Sequence, residues 1–108
     1  MSVQLLVMHF KFNTSPAEYV HAIHPLVDEI LNARGLRWKI WLMDESQSTA
    51  GGLYLFDDSS CLKAFLASPL MDYLQHHPSF TEVHVMPFAV LEAETRATHG
   101  PLGSGVRV

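Results

Sequence analysis

A single cysteine, Cys61, is all the thiol chemistry this 108-residue chain carries. An internal disulfide and any multi-cysteine zinc or iron–sulfur site are thereby excluded. Basic residues are also sparse: seven Lys and Arg, scattered from Lys11 to Arg107, stand against 11 Asp and Glu, for a formal net charge of -4. A nucleic-acid surface needs a clustered basic patch, so nucleic acid is not an expected partner. No apolar run approaches the about 18 residues of a membrane span. The N-terminus lacks a basic region followed by an apolar stretch and a cleavage site. No membrane partner is expected, and cytoplasmic residence is the default. The glycine-rich phosphate loops GxGxxG and GxxxxGK(S/T) are missing, as is HExxH. Internal repeats and low-complexity tracts are missing too.

What is present fits one α+β domain over residues 1–94, followed by a flexible C-terminal tail over 95–108 that begins near Thr95 and turns Gly-rich at His99-Gly100-Pro101-Leu102-Gly103. Val3 to Phe12 alternates Leu6, Met8, Phe10 and Phe12 with Leu5, Val7, His9 and Lys11. Both sets are largely apolar, which marks an interior strand covered on two sides. Ser15-Pro16-Ala17-Glu18 is a helix start, with an N-cap, a proline at the first turn and a capping-box glutamate. The following helix groups Val20, Ile23, Val27, Ile30 and Leu31 in one arc, with a kink expected at Pro25 and a stop at Gly35. Leu36–Met43 and Gly51–Asp57 read as a hairpin across a polar loop. Asp57 or Asp58 then caps a second helix, with Leu62, Phe65 and Leu66 on one face. Ser68-Pro69 restarts it with Leu70, Tyr73 and Leu74, and Phe80–Leu91 is the last strand.

This order, β-α-β-β-α-β, predicts a ferredoxin-like four-stranded antiparallel sheet with both helices on one face. The other sheet face also carries large apolar groups, more than a monomer normally exposes, so a homodimer packed sheet to sheet is expected. In the hairpin, pairing Leu42 with Gly51 sets Ile40 opposite Leu53 and Trp38 opposite Leu55. That set is aliphatic-rich and suited to packing helices. The other set, Arg37, Lys39, Trp41 and Met43 against Gly52, Tyr54 and Phe56, mixes aromatic rings with polar tips and suits a ligand cavity. A one-residue slip exchanges the two sets.

Three segments carry a family resemblance: His9-Phe10-Lys11-Phe12-Asn13, Gly35-Leu36-Arg37-Trp38-Lys39-Ile40-Trp41 and Ala50-Gly51-Gly52-Leu53-Tyr54-Leu55-Phe56, with His24-Pro25-Leu26 between them. In these the chain resembles the YdhR-type monooxygenases, over about residues 4 to 92. The resemblance implies a dimeric α+β barrel related in fold to oxygenases that form quinones without a bound cofactor.

The candidate catalytic residues are His9, Trp41 and Tyr54. An imidazole titrating near neutrality suits a base that removes a phenolic proton, although a histidine in an interior strand also serves as a hydrogen-bonded structural residue. Trp41 and Tyr54 either orient a planar aromatic substrate through the indole N–H and phenol hydroxyl, or are core rings. Asn13, Trp38, Lys39 and Phe56 are candidate substrate contacts. Each has a plainer reading: Asn13 as a turn cap, Trp38 as core alternating with Ile40 and Leu42, Lys39 as a solvated rim residue. His21 and His24, and the adjacent pair His76 and His77, do not supply three convergent ligands, so no metal is expected. Gly51-Gly52 marks a bulge or a close approach of backbone or ligand. No flavin, heme or metal cofactor is expected, and no histidine is placed as a clear axial ligand. The favoured function is oxidation of a small phenolic or enolic aromatic substrate with dioxygen. The alternative is a non-catalytic dimer that binds a small hydrophobic ligand.

Overall fold

The computed structural model describes residues 2–103. The chain runs β1 (Gln4–Phe12), α1 (Pro16–Ile23), α2 (Leu26–Leu31), β2 (Leu36–Asp44), β3 (Thr49–Phe56), α3 (Ser59–Leu66), α4 (Pro69–His76), β4 (Phe80–Ala89) and α5 (Glu92–Ala97). The strands form one antiparallel sheet in the order β2-β3-β1-β4. This is the ferredoxin-like arrangement that the element order predicts.

Local chemistry fixes the element ends. Ser15 Oγ accepts from the Glu18 N–H at 3.1 Å while Glu18 accepts from the Ser15 N–H at 3.0 Å, closing the capping box. These bonds hold the Glu18 carboxyl below its ordinary pKa, the backbone N–H of Ser15 contributing most. Asp58 caps α3 by accepting from the Cys61 N–H, and Ser68 caps α4 through the Met71 N–H. Asp57 instead pairs with Arg37 Nε at 2.7 Å. The predicted kink at Pro25 is a full break, because α1 ends at Ile23 and α2 restarts at Leu26.

The buried face nevertheless runs on in one phase across the break. Tyr19, Ile23, Leu26 and Ile30, at i, i+4, i+7 and i+11, turn to the sheet, whereas Val20, Val27 and Leu31 of the expected arc are exposed. Tyr19 decides the phase: its ring stacks on Phe12 at 4.9 Å and packs against Phe10 and Phe80, and burying an aromatic ring outweighs burying a valine. In α4 the outcome is the opposite: Leu70, Met71 and Leu74 are buried and Tyr73 is exposed.

The hairpin register is as expected, with Leu42 opposite Gly51, Ile40 opposite Leu53 and Trp38 opposite Leu55. The assignment of its faces is reversed. Leu6 pairs with Tyr54 and Met8 with Gly52, so Tyr54, Phe56 and Trp41 lie on the strongly apolar β1 side that the helices cover. Ile40 and Leu42, expected beneath the helices, lie on the uncovered side and are 46% and 42% exposed. Arg37 forms the bulge between the Leu36–Phe56 and Trp38–Leu55 pairs, which frees its side chain for Asp57.

Where composition predicts a flexible tail, the chain forms α5 and then docks Leu102 against Val3 and Leu55. Trp38 Nε1 donates to the Pro101 carbonyl at 2.9 Å, and Arg37 donates to the Leu102 carbonyl. Glu92 accepts from the Val3 N–H at 3.1 Å, fastening the segment to the start of β1. Residues 104–108 lie outside the described residues.

Candidate functional site

A cleft of about 280 Å³ opens between α2 and β2. Val27, Ile30 and Leu31 form one wall, and Leu36, Lys39 and Trp41 line the other. Its size is close to the lower end of the roughly 300–1,000 Å³ typical of small-molecule pockets. A second void of about 10 Å³, reaching Phe10, Tyr19 and Tyr54, shares Ile30, Lys39 and Trp41 with it.

Lys39 is the charged group of this region. Strand alternation carries it to the helix side beside Trp41, and its pairing with Tyr54 sets it over a second ring. Its Nζ stands 3.3 Å from the Trp41 ring centroid and 4.4 Å from that of Tyr54. Gly52 makes room for it, because a Cβ there would come within 2.6 Å of Lys39 Cε. Among the described residues no carboxylate pairs with it. Burial without a counter-charge lowers its pKa from 10.5 to about 7. The two ring faces attract the ammonium and oppose that shift in part.

Tyr54 is buried, and its hydroxyl contacts Met8 Sδ at 4.0 Å. It therefore meets Lys39 through its ring face. Burial raises its phenol pKa, with a smaller contribution from the Tyr19 charge, and burial pushes the Tyr19 phenol up to about 12. The Trp41 indole N–H has no hydrogen-bond acceptor among the described residues, and it is not sealed off from solvent. It remains a donor for a ligand oxygen.

The expected site residues divide. Trp41, Tyr54 and Lys39 come together. His9 does not join them: it pairs with Gly51 and His84, one residue on from the Met8–Gly52 pair and three from Leu6–Tyr54, and so projects from the opposite sheet face. There it stacks on His84, with ring centroids 4.9 Å apart. Phe56 is fully buried against Phe65 and lines no part of the cleft. Asn13 donates to the Pro78 carbonyl, tying the end of β1 to the start of β4. Trp38 also lines the cleft, with its indole N–H donated to the Pro101 carbonyl. Lys39, read first as a rim residue, is half-buried. Tyr19 was missed as a wall of the inner void; its i, i+4 spacing to Ile23 is the available sequence signal. Among the described residues no three His, Cys, Asp or Glu converge as a metal site. Among the described residues no helix is long and apolar enough to cross a membrane.

Solved structures share the fold. NE2512, a protein of unknown function from Nitrosomonas europaea, superposes with a TM-score of 0.69 at 14% identity, over 84% of this chain and 91% of that one. SnoaB, a cofactor-independent oxygenase from Streptomyces nogalater, gives 0.67 at 13% identity, over 83% and 94%. MhuD, a heme-degrader from Mycobacterium tuberculosis with two hemes bound in its active site, gives 0.64 at 11% identity, over 82% and 95%. No curated protein matches the chain in sequence. A family model does match, spanning residues 5–101 and so including α5 and ending one residue short of Leu102. By that match the chain belongs to the family described as "Putative mono-oxygenase ydhR".

Proposed function

We infer that the protein is a cofactor-independent oxygenase of small phenolic or enolic aromatic compounds, working as a homodimer with Lys39 as its base. The observation that carries the reading is the Lys39 amine, held without a carboxylate between two aromatic rings on the wall of an apolar cleft. Triplet dioxygen reacts slowly with closed-shell molecules, but an organic anion can pass it an electron directly. The protein must then make the anion, hold it, and keep water from the intermediates.

Burial lowers the Lys39 pKa to about 7, so a substantial fraction of the amine is neutral near pH 7 and accepts the substrate proton. The ammonium so formed stays beside the new anion and stabilises it, while the Trp41 N–H is free to donate to a substrate oxygen. For a ring CH2 beside a phenol, CH2 and O2 become C=O and H2O. The substrate supplies four electrons, one oxygen atom is retained, and the other leaves as water.

The dimer is supported by the uncovered sheet face, where Ile40, Leu42, Met86 and Phe88 are at least 40% exposed. Two such faces packed together remove that surface from water. Oxygen uptake with anthrone-type phenols tests the function. Wild-type protein consumes oxygen and forms quinone, and Lys39→Met lowers the rate by about 10²–10⁴-fold, the usual worth of a general base. Quenching of tryptophan fluorescence by the same phenols without oxygen uptake leaves the binding-protein alternative in its place.

A further inference from the structure

We propose that the cleft between α2 and β2 is also a covalent carbonyl-capture site, in which Lys39 Nζ forms an imine with small apolar aldehydes and an enaminone with 1,3-dicarbonyl compounds. Capture of this kind needs an amine that is accessible, free of a counter-ion and shielded from bulk water. Lys39 meets each condition. Lys39 lines the open 280 Å³ cleft, whose opposite wall is the apolar Val27, Ile30 and Leu31, and its amine rests beside Trp41, another lining residue. No carboxylate among the described residues holds it as an ammonium. The Trp41 ring, which also lines the cleft, adds an aromatic wall beside the amine. The absence of a side chain at Gly52 leaves the lysine stem its seat. Arg37, which also lines the cleft, is occupied by Asp57 and the Leu102 carbonyl.

The step balances without oxidant or reductant. The amine lone pair forms a C–N bond to the carbonyl carbon while a proton passes from nitrogen to oxygen. The C–O bond of the carbinolamine then breaks and water departs. With a 1,3-dicarbonyl, loss of the central C–H proton conjugates the new C–N bond with the second carbonyl, and that delocalisation resists hydrolysis. Protonation state favours Lys39 over the other lysines: an amine of ordinary pKa, about 10.4, is neutral at roughly one part in a few thousand at pH 7, whereas burial makes the neutral fraction of Lys39 far larger.

The probe is 2,4-pentanedione, added to the full chain at pH 7 without oxygen. The adduct is followed by its near-ultraviolet absorbance and by peptide mass mapping. One adduct per chain is expected at Lys39, with the mass of the diketone less one water, forming at least about tenfold faster than at Lys63. The rate rises with pH and levels off above about 7. Lys39→Arg, which keeps the charge and the long stem, abolishes it, and Lys63→Met leaves it in place. Comparable labelling of Lys11, Lys39 and Lys63, or labelling that spares Lys39, overturns the proposal. No dioxygen is consumed, so the two readings fail separately: labelling at Lys39 by a protein that takes up no oxygen removes only the oxygenase function.

Discussion

Replacing Lys39 by methionine removes a charge that folding takes out of water and keeps a flexible stem of similar reach. In the folded chain the Lys39 pKa falls from 10.5 to about 7 through burial. At 1.36 kcal/mol for each unit between those values, the charged form is disfavoured by at most about 5 kcal/mol. Two ring contacts at about 0.5–2 kcal/mol each oppose this, leaving a net cost of about 1–4 kcal/mol. The sign follows from proton counting. Between about pH 7 and 10.5 the unfolded chain holds a proton on Lys39 that the folded chain has lost, so stability rises with pH across that window. Below pH 7 both states are protonated and the full cost applies. Lys39→Met is therefore more stable than wild type at pH 6 by about 1–4 kcal/mol, and its advantage shrinks toward pH 10. Urea melts of both proteins at pH 6, 8 and 10 read this as a shift in midpoint at constant slope. Measurements stop near pH 10, the ordinary tyrosine value. Above it the raised phenol pKa values of Tyr19 and Tyr54 withdraw stability as the unfolded chain ionises first. A destabilised Lys39→Met, or a gain that does not change with pH, refutes the placement of the amine.

Tyr54→Phe keeps the ring that faces Lys39 and deletes only a hydroxyl whose contact is the Met8 sulfur. Stability should fall by no more than about 0.5–1.5 kcal/mol, and oxygen uptake should change less than tenfold; a larger rate loss would assign the hydroxyl a direct part in the reaction. Analytical ultracentrifugation at micromolar concentration should give about twice the 12.1 kDa chain mass, and Ile40→Glu with Leu42→Glu should give the single-chain mass. A wild-type monomer across that range contradicts the sheet-to-sheet dimer.

Element order, hairpin register and caps were legible because each depends on local pattern: Ser15-Pro16 with Glu18, Ser68-Pro69, and the alternation from Leu36 to Phe56. Which hairpin face the helices cover was not. Both faces of β2 carry a tryptophan and aliphatic groups, so the hairpin alone cannot rank them, and the choice is made by pairing with β1. There Leu6, Met8, Phe10 and Phe12 form a wholly apolar row, while the alternate row is broken by His9 and Lys11. Following that row through β3 to Trp41 would have separated His9 from Trp41 and Tyr54. Burial of Lys39 was hidden for another reason. A lysine on a mostly aromatic face reads as a snorkelling rim residue, and only the vacancy at Gly52 and the ring spacing show where its amine rests. The docking of residues 101–102 depends on Trp38 and Arg37, partners far away in sequence that tail-like composition conceals.

The fate of dioxygen bears most directly on the proposed chemistry. Chelator-treated protein is incubated with an anthrone-type phenol under 18O2, and the product is examined by mass spectrometry. One labelled oxygen per product molecule, with the second label recovered in water, is the result the mechanism requires. Product oxygen drawn from solvent, or no product from any phenol tried, contradicts it.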